Sequence, residues 1–181
     1  SFKPRSPYGV AKVFAHNMTN HYHEAYNLFA CCGILFNHES PYRGIEFVTR
    51  RITYNLARIK HGKISKFTLG NINAKRDWGF AGDYVEAMWS MLQQKTSDSY
   101  VVATGESHSV EEFLTLATEY AGLGDWHDYV EINQESNLRP TDIDNLIGNA
   151  NKAKEKLNWK SKTSFKELVK MMVDYDLENY R

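Results

Sequence analysis

The stretch Asn27-Leu28-Phe29-Ala30-Cys31-Cys32-Gly33-Ile34-Leu35-Phe36 constrains the fold more than any other part of the chain. It is apolar, carries no charge and shows no alternation of polar and apolar residues. Such a run reads as a strand buried on both faces, the situation of a strand inside a parallel sheet covered by helices. It is too short to cross a bilayer. Ahead of it, Ser6-Pro7 has the form of an N-cap followed by proline at the first helical position. Apolar residues recur at Val10, Phe14, Met18 and Tyr22, so a helix is expected to about Tyr26. A helix feeding a buried strand is half of an α/β unit.

The alternation continues. Residues 37–44 are polar with one proline and read as a loop, and residues 47–58 are amphipathic and helical in pattern. A short strand at 66–69 is followed by a loop over 70–76, and Asp77-Trp78-Gly79 leads into a helix over 81–93. A strand is expected at 100–103. Ser109-Val110-Glu111-Glu112 has the form of a capping box opening a helix that ends near Gly122. Another strand falls at 129–132, and Ser164-Phe165-Lys166-Glu167 is a second capping box starting a last helix to about Asn179. No repeat or low-complexity tract interrupts this order.

Twenty-two basic residues balance twenty-two acidic ones, so the net charge is zero. That gives no electrostatic push toward nucleic acid or an anionic membrane, and neither is expected as a partner. The opening Ser-Phe-Lys-Pro-Arg-Ser-Pro has no apolar segment of the signal-peptide kind. Cys31 and Cys32 are adjacent, so on a strand their side chains point to opposite faces. They read as small buried apolar residues in a reducing cytoplasm.

Tyr8 and Lys12 stand four residues apart, on one face of the first helix. A free phenol has a pKa of about 10, and a neighbouring ammonium favours its phenolate. Such a tyrosine can take a proton from a sugar hydroxyl as hydride leaves the carbon, and the lysine can hold a ribose hydroxyl of a nicotinamide cofactor. Taken alone the spacing has little specificity, and two ordinary helix residues are the plainer account of it.

Several longer motifs carry more information: "PRSPYGVAK", "GILFNHESP", "RDWG", "DYVEAMW", "ATGESHSVEEF" and "RPTDIDNLIGN". Together they closely resemble the GDP-mannose 4,6-dehydratase family, a branch of the extended short-chain dehydrogenase/reductases, over nearly the whole chain. The resemblance implies an α/β fold: the C-terminal part of a Rossmann-type domain with its smaller mixed α/β substrate-binding domain. Residues 1–44 would close the dinucleotide-binding domain, and residues 45–181 would mainly bind the nucleotide sugar. It also implies a lyase that converts GDP-mannose to GDP-4-keto-6-deoxymannose through bound NADP, taking hydride from C4, losing water across C5–C6 and returning hydride at C6.

The same resemblance assigns roles. Tyr8 would be the base at the C4 hydroxyl, with Lys12 beside it on the nicotinamide ribose. His38 and Arg43 match NADP-contacting positions, and Asn37 and Val48 match substrate positions. Arg76 and Arg139 match diphosphate-binding positions, a task for which a planar guanidinium with paired N–H donors is suited. Asp142 occupies a slot usually held by glutamate, and Asn71 is expected near the guanine.

Two departures stand out. The family usually has two arginines after "NHESP", in a loop that reaches an adjoining subunit of a homo-oligomer, and here the first is Tyr42. The segment from Leu123 to Arg139 is short, which is expected to trim a surface loop. In addition, no glycine-rich turn of the pyrophosphate-holding kind occurs in the sequence. The family's threonine and its C5-deprotonating glutamate fall before Tyr8. The chain is therefore expected to need an N-terminal half, in the same or another chain, to act. Rival expectations are another nucleotide-sugar dehydratase or epimerase, and a non-catalytic nucleotide-sugar binding or assembly module.

Other chemistry-bearing residues have plainer readings. His16, His21 and His23 on the first helix lack a carboxylate or thiol set that would complete a zinc site. Trp78, Trp89, Trp126 and Trp159 read as packing residues, and His61, His108 and His127 as surface residues. Arg50 and Arg51 read equally as solvated helix charges or phosphate ligands. Lys152, Lys154 and Lys156 read as an exposed helix face.

Overall fold

Helix α1 (Pro7–Tyr26) begins where the sequence places it, for the local reason expected: the Ser6 hydroxyl accepts the Gly9 N–H at 3.0 Å, and Pro7 occupies the first turn. The helix ends at Asn27, whose φ of 53° is the left-handed conformation that stops helices. The structure is a computed structural model that describes residues 2–133 and 145–179. After α1 come β1 (Cys32–Leu35), β2 (Asn37–Glu39), α2 (Val48–Lys60), β3 (Phe67–Leu69), β4 (Lys75–Arg76) and β5 (Trp78–Phe80). Then follow α3 (Ala81–Leu92), β6 (Ser99–Val102), β7 (His108–Ser109), α4 (Val110–Tyr120), a 3₁₀ turn (Trp126–Asp128), β8 (Val130–Ile132), β9 (Asn145–Leu146), α5 (Asn151–Leu157) and α6 (Phe165–Asn179).

The strands pair in small groups, mostly in parallel: β1 with β6, β2 with β5, and β3 with β8. A fourth group has β4 between β7, antiparallel, and β9, parallel. Parallel pairing of strands far apart in sequence, with helices in the connections, makes this an α/β fold. Both capping boxes form. Ser109 accepts the Glu112 N–H while the Glu112 carboxylate accepts the Ser109 N–H, and Ser164 and Glu167 repeat the exchange.

Two apolar clusters hold the elements. In one, α2, α4 and α6 converge through Ile52, Leu56, Phe113, Leu114, Ala117, Leu168, Val169 and Met172, with Trp78 at the edge. In the other, α3, α5 and β6 close over Tyr84, Ala87, Met91, Val102, Ala153 and Trp159. Each fully buried large side chain contributes about 1.5–3 kcal/mol of transfer free energy.

Several expectations change. Residues 37–39 and 75–76, expected within loops, are the strands β2 and β4, because each finds a pairing partner distant in sequence. The apolar run yields a strand of only four residues, half-buried and with Gly33 exposed, while Leu28 and Phe29 are about half exposed. The reason is coverage: among the described residues β1 pairs with β6 alone. The same holds for α1, whose Val10, Phe14 and Tyr22 are exposed and which has no buried residue. Trp89 is 65% exposed on α3, whereas Trp78, Trp126 and Trp159 are buried as expected. Finally, Arg50 is neither solvated nor a phosphate ligand. It is 3% exposed, with Nη1 2.9 Å from Asp176 Oδ1 and Nε donating to the Pro41 carbonyl at 2.8 Å. That carbonyl belongs to the polar loop after β2, so the pair anchors the loop from beneath.

Candidate functional site

Tyr8 and Lys12 lie one turn apart on α1, with Lys12 Nζ 5.5 Å from the centre of the Tyr8 ring. Both face an open cavity of about 500 Å³ walled by α1 on one side and β1 on the other. His38 reaches the same cavity from β2, and Cys31 and Cys32 line it too. The two thiols, half-buried where burial was expected, diverge: Cys31 Sγ, just before β1, approaches the Met91 carbonyl and Cys32 Sγ the His16 carbonyl.

His38 is fixed in direction. Its Nδ1–H donates to the Phe36 carbonyl at 2.9 Å, which leaves Nε2 as the acceptor of the neutral ring. The ring rests on buried Tyr84, centroid to centroid 5.3 Å. The support is supplied by β5, which runs in register with β2: Asn37 opposite Trp78, His38 opposite Gly79, Glu39 opposite Phe80. Gly79 has to be glycine, because a Cβ there would fall within 3.0 Å of Tyr84 Cε2, Tyr84 Oη and Thr104 Cγ2. In "RDWG" the final residue thus lets the Tyr84 ring sit under His38.

Arg43 is held by neighbours on both sides. Its Nε is 3.3 Å from Glu39 Oε2, and its guanidinium lies 3.5 Å over the Phe47 ring. Glu39 is buried and accepts the Thr49 hydroxyl at 2.6 Å. Burial pushes its carboxyl above the usual range, while the Thr49 hydrogen bond and the Arg43 charge pull the other way without offsetting it.

The remaining predicted residues lie around β4 and α2. Arg76 is on β4, opposite His108 of β7 and Leu146 of β9, and two residues before Trp78, the partner of Asn37. Asn71 is exposed and accepts the Asn73 N–H at 2.9 Å, closing the turn before β4. Val48 is the first residue of α2 and packs against the larger apolar cluster. Arg139 and Asp142 lie outside the described residues. Among the described residues, no group of three or more histidine, cysteine, aspartate or glutamate side chains could hold a metal ion. None of their helices is long and apolar enough to cross a membrane.

Sequence reasoning missed the supporting residues. Glu39, Asp77, Gly79 and Thr104 all sit inside "NHESP", "RDWG" or "ATGES", but what each one touches is set by parallel pairing across long stretches of chain. The available signal was the presence of a carboxylate in a segment bracketed by buried apolar residues.

Comparison with solved structures defines the class first. The chain superposes on Pseudomonas aeruginosa RMD complexed with NADPH with a TM-score of 0.87 at 19% identity, covering 98% of this chain and 57% of that one. It superposes on the Bacillus anthracis dTDP-glucose 4,6-dehydratase in complex with NAD with a TM-score of 0.84 at 21% identity, covering 98% and 54%. The chain thus shares its α/β fold with a little over half of each of these proteins. At residues 1–172 the chain matches the family model for GDP-mannose 4,6 dehydratase, and it belongs to that family. It is 63% identical over 177 residues to GDP-mannose 4,6 dehydratase 1 of Arabidopsis thaliana, spanning 98% of this chain and 48% of that protein. Against the Homo sapiens GDP-mannose 4,6 dehydratase the identity is 48% over 198 residues, spanning 99% and 52%. The chain therefore spans about half the length of these relatives.

Proposed function

We propose that this chain is the C-terminal portion of a GDP-mannose 4,6-dehydratase, a hydro-lyase that converts GDP-mannose to GDP-4-keto-6-deoxymannose. The observation that carries the reading is the convergence of Tyr8, Lys12 and His38 on one cavity in a chain of this family. The cavity is open, has phenol, ammonium and imidazole groups on its walls, and so suits a nicotinamide ribose beside a sugar. A nicotinamide cofactor held beside these residues would supply the hydride acceptor and donor for the sugar. Of the nicotinamide cofactors we assign NADP, supported by the NADPH complex of the Pseudomonas relative in fold.

In this reading Tyr8 takes the proton of the C4 hydroxyl. Lys12 places a positive charge beside it and holds the ribose. His38 and Arg43 contact the cofactor, each oriented by the groups described above. Asn37 and Val48 face the sugar nucleotide, Arg76 and Arg139 pair with its diphosphate, and Asn71 and Asp142 lie toward the nucleoside. Residues 1–44 complete a dinucleotide-binding domain, and residues 45–181 mainly bind the nucleotide sugar. β6 returns from the second part to pair with β1, so the parts share a sheet.

An N-terminal half brings the glycine-rich turn, the threonine and the C5 base. The exposed apolar side chains of α1, among them Phe14 at 66%, support an association that covers them. The complete enzyme is a homo-oligomer of the cytoplasm, where the adjacent thiols of Cys31 and Cys32 stay reduced.

The test is turnover of GDP-mannose by this chain joined to its cofactor-binding half, with Tyr8→Phe as control. The variant is expected to lose about 10²–10⁴-fold in kcat while GDP binding persists. Absence of turnover by the assembled parent protein, or an unimpaired Tyr8→Phe variant, would overturn the reading.

A further inference from the structure

We infer that Asp77 is a positioning residue of the nucleotide-sugar pocket: its carboxylate fixes the strand end that presents Arg76. This rests on the functional reading above and deepens it. Asp77 is fully buried, 0% exposed. Its Oδ1 accepts the Thr104 N–H at 2.9 Å and the Thr104 hydroxyl at 2.7 Å. Its Oδ2 accepts the Gly105 N–H at 2.9 Å and the Gly148 N–H at 3.1 Å. Two carboxylate oxygens offer about four acceptor sites, so these four donors fill the group.

The donors come from separate parts of the chain. Thr104 and Gly105 follow β6, and Gly148 follows β9. Both glycines are there for reach. Gly105 has a φ of 82°, and a Cβ on Gly148 would collide with the Ala103 side chain and the Phe36 ring. One residue before Asp77, Arg76 lies in β4, held in register with β9 and β7. One residue after it, Trp78 lies opposite Asn37. The buried carboxylate therefore ties the exit of β9 and the turn after β6 to the point between Arg76 and the partner of Asn37.

No cation is among the four donors to this carboxylate, so its hydrogen bonds are directional and set a geometry instead of neutralising a charge. Replacing Asp77 by asparagine turns one oxygen into an NH₂ facing N–H donors. At least one backbone donor then loses its acceptor, and the two tethered segments separate. Thr104→Val is milder, removing the hydroxyl donor and leaving the backbone bonds.

The experiment measures GDP affinity by calorimetry, and KM and kcat for GDP-mannose, in the enzyme that carries this chain with its cofactor-binding half. Misplacement of a binding arginine is expected to raise KM and the GDP Kd about tenfold or more in Asp77→Asn and about threefold in Thr104→Val. In both variants kcat should stay within about twofold, the pattern of lost uniform binding. Folded variants with unchanged KM and GDP Kd would overturn the inference, as would a fall in kcat at constant KM. If Asp77→Asn does not fold, Thr104→Val decides by the same criteria. A parent enzyme that neither binds GDP nor consumes GDP-mannose would refute the functional reading itself, and this inference with it.

Discussion

Gly79→Ala is the sharpest test of how the "RDWG" segment supports the site. The added methyl would lie within 3.0 Å of Tyr84 Cε2, and 2.9 Å from both Tyr84 Oη and Thr104 Cγ2. Neither neighbour can retreat easily. Tyr84 is 0% exposed, with Trp159 edge-on at 5.9 Å on one side and His38 at 5.3 Å on another. Thr104 is committed through two hydrogen bonds to Asp77. Inserting a methyl into such a site costs about 1–3 kcal/mol, and the close approach to a ring atom places this case toward the upper end. For a chain of this size, about 2–3 kcal/mol lowers the midpoint of thermal unfolding by about 4–12 °C. The assay is thermal unfolding followed by circular dichroism, in a cycle with Tyr84→Leu. If the ring is the obstacle, the Gly79→Ala penalty shrinks by at least about 1 kcal/mol in the Tyr84→Leu background. Additive penalties would refute the reasoning.

Two further outcomes are expected. Asp176→Ala strands the buried Arg50 guanidinium and should cost about 3–5 kcal/mol in denaturant unfolding, whereas the joint replacement Arg50→Met with Asp176→Leu should recover most of that loss. For Glu39 the folded pKa is raised, so folding favours the protonated form. The associated stability is fully present below the ordinary value of 4.5 and is lost as the pH rises through the higher folded value. Glu39→Gln should flatten that decline in pH-dependent unfolding, and a wild-type stability that climbs over the same interval would contradict it.

Local signals in the sequence translate well into local structure because they act within a turn or two of chain. Ser6-Pro7, Ser109–Glu112 and Ser164–Glu167 each need only neighbours three residues away, and all three cap helices as read. The Tyr8–Lys12 spacing belongs to the same class: helical geometry alone puts both side chains on one wall of the cavity. The motif resemblance carried the family, and the family match bears it out.

What the sequence by itself determined, then, was the outline of the α/β alternation, the longer helices to within a few residues, and the residue types available for chemistry; the short strands β2, β4, β5, β7 and β9 came only with their pairing partners. Tertiary structure decided what those residues face. Whether the apolar run 27–36 is buried on both faces depends on partner strands distant in sequence, and β1 has one such partner among the described residues. Arg50 was indistinguishable from a solvated charge until α6 brought Asp176 to 2.9 Å from it. Asp77 shows the same dependence. Its four donors lie 27 to 71 residues further along the chain. No local pattern encodes their meeting, because a buried carboxylate is satisfied only by the groups that parallel strand pairing delivers to it.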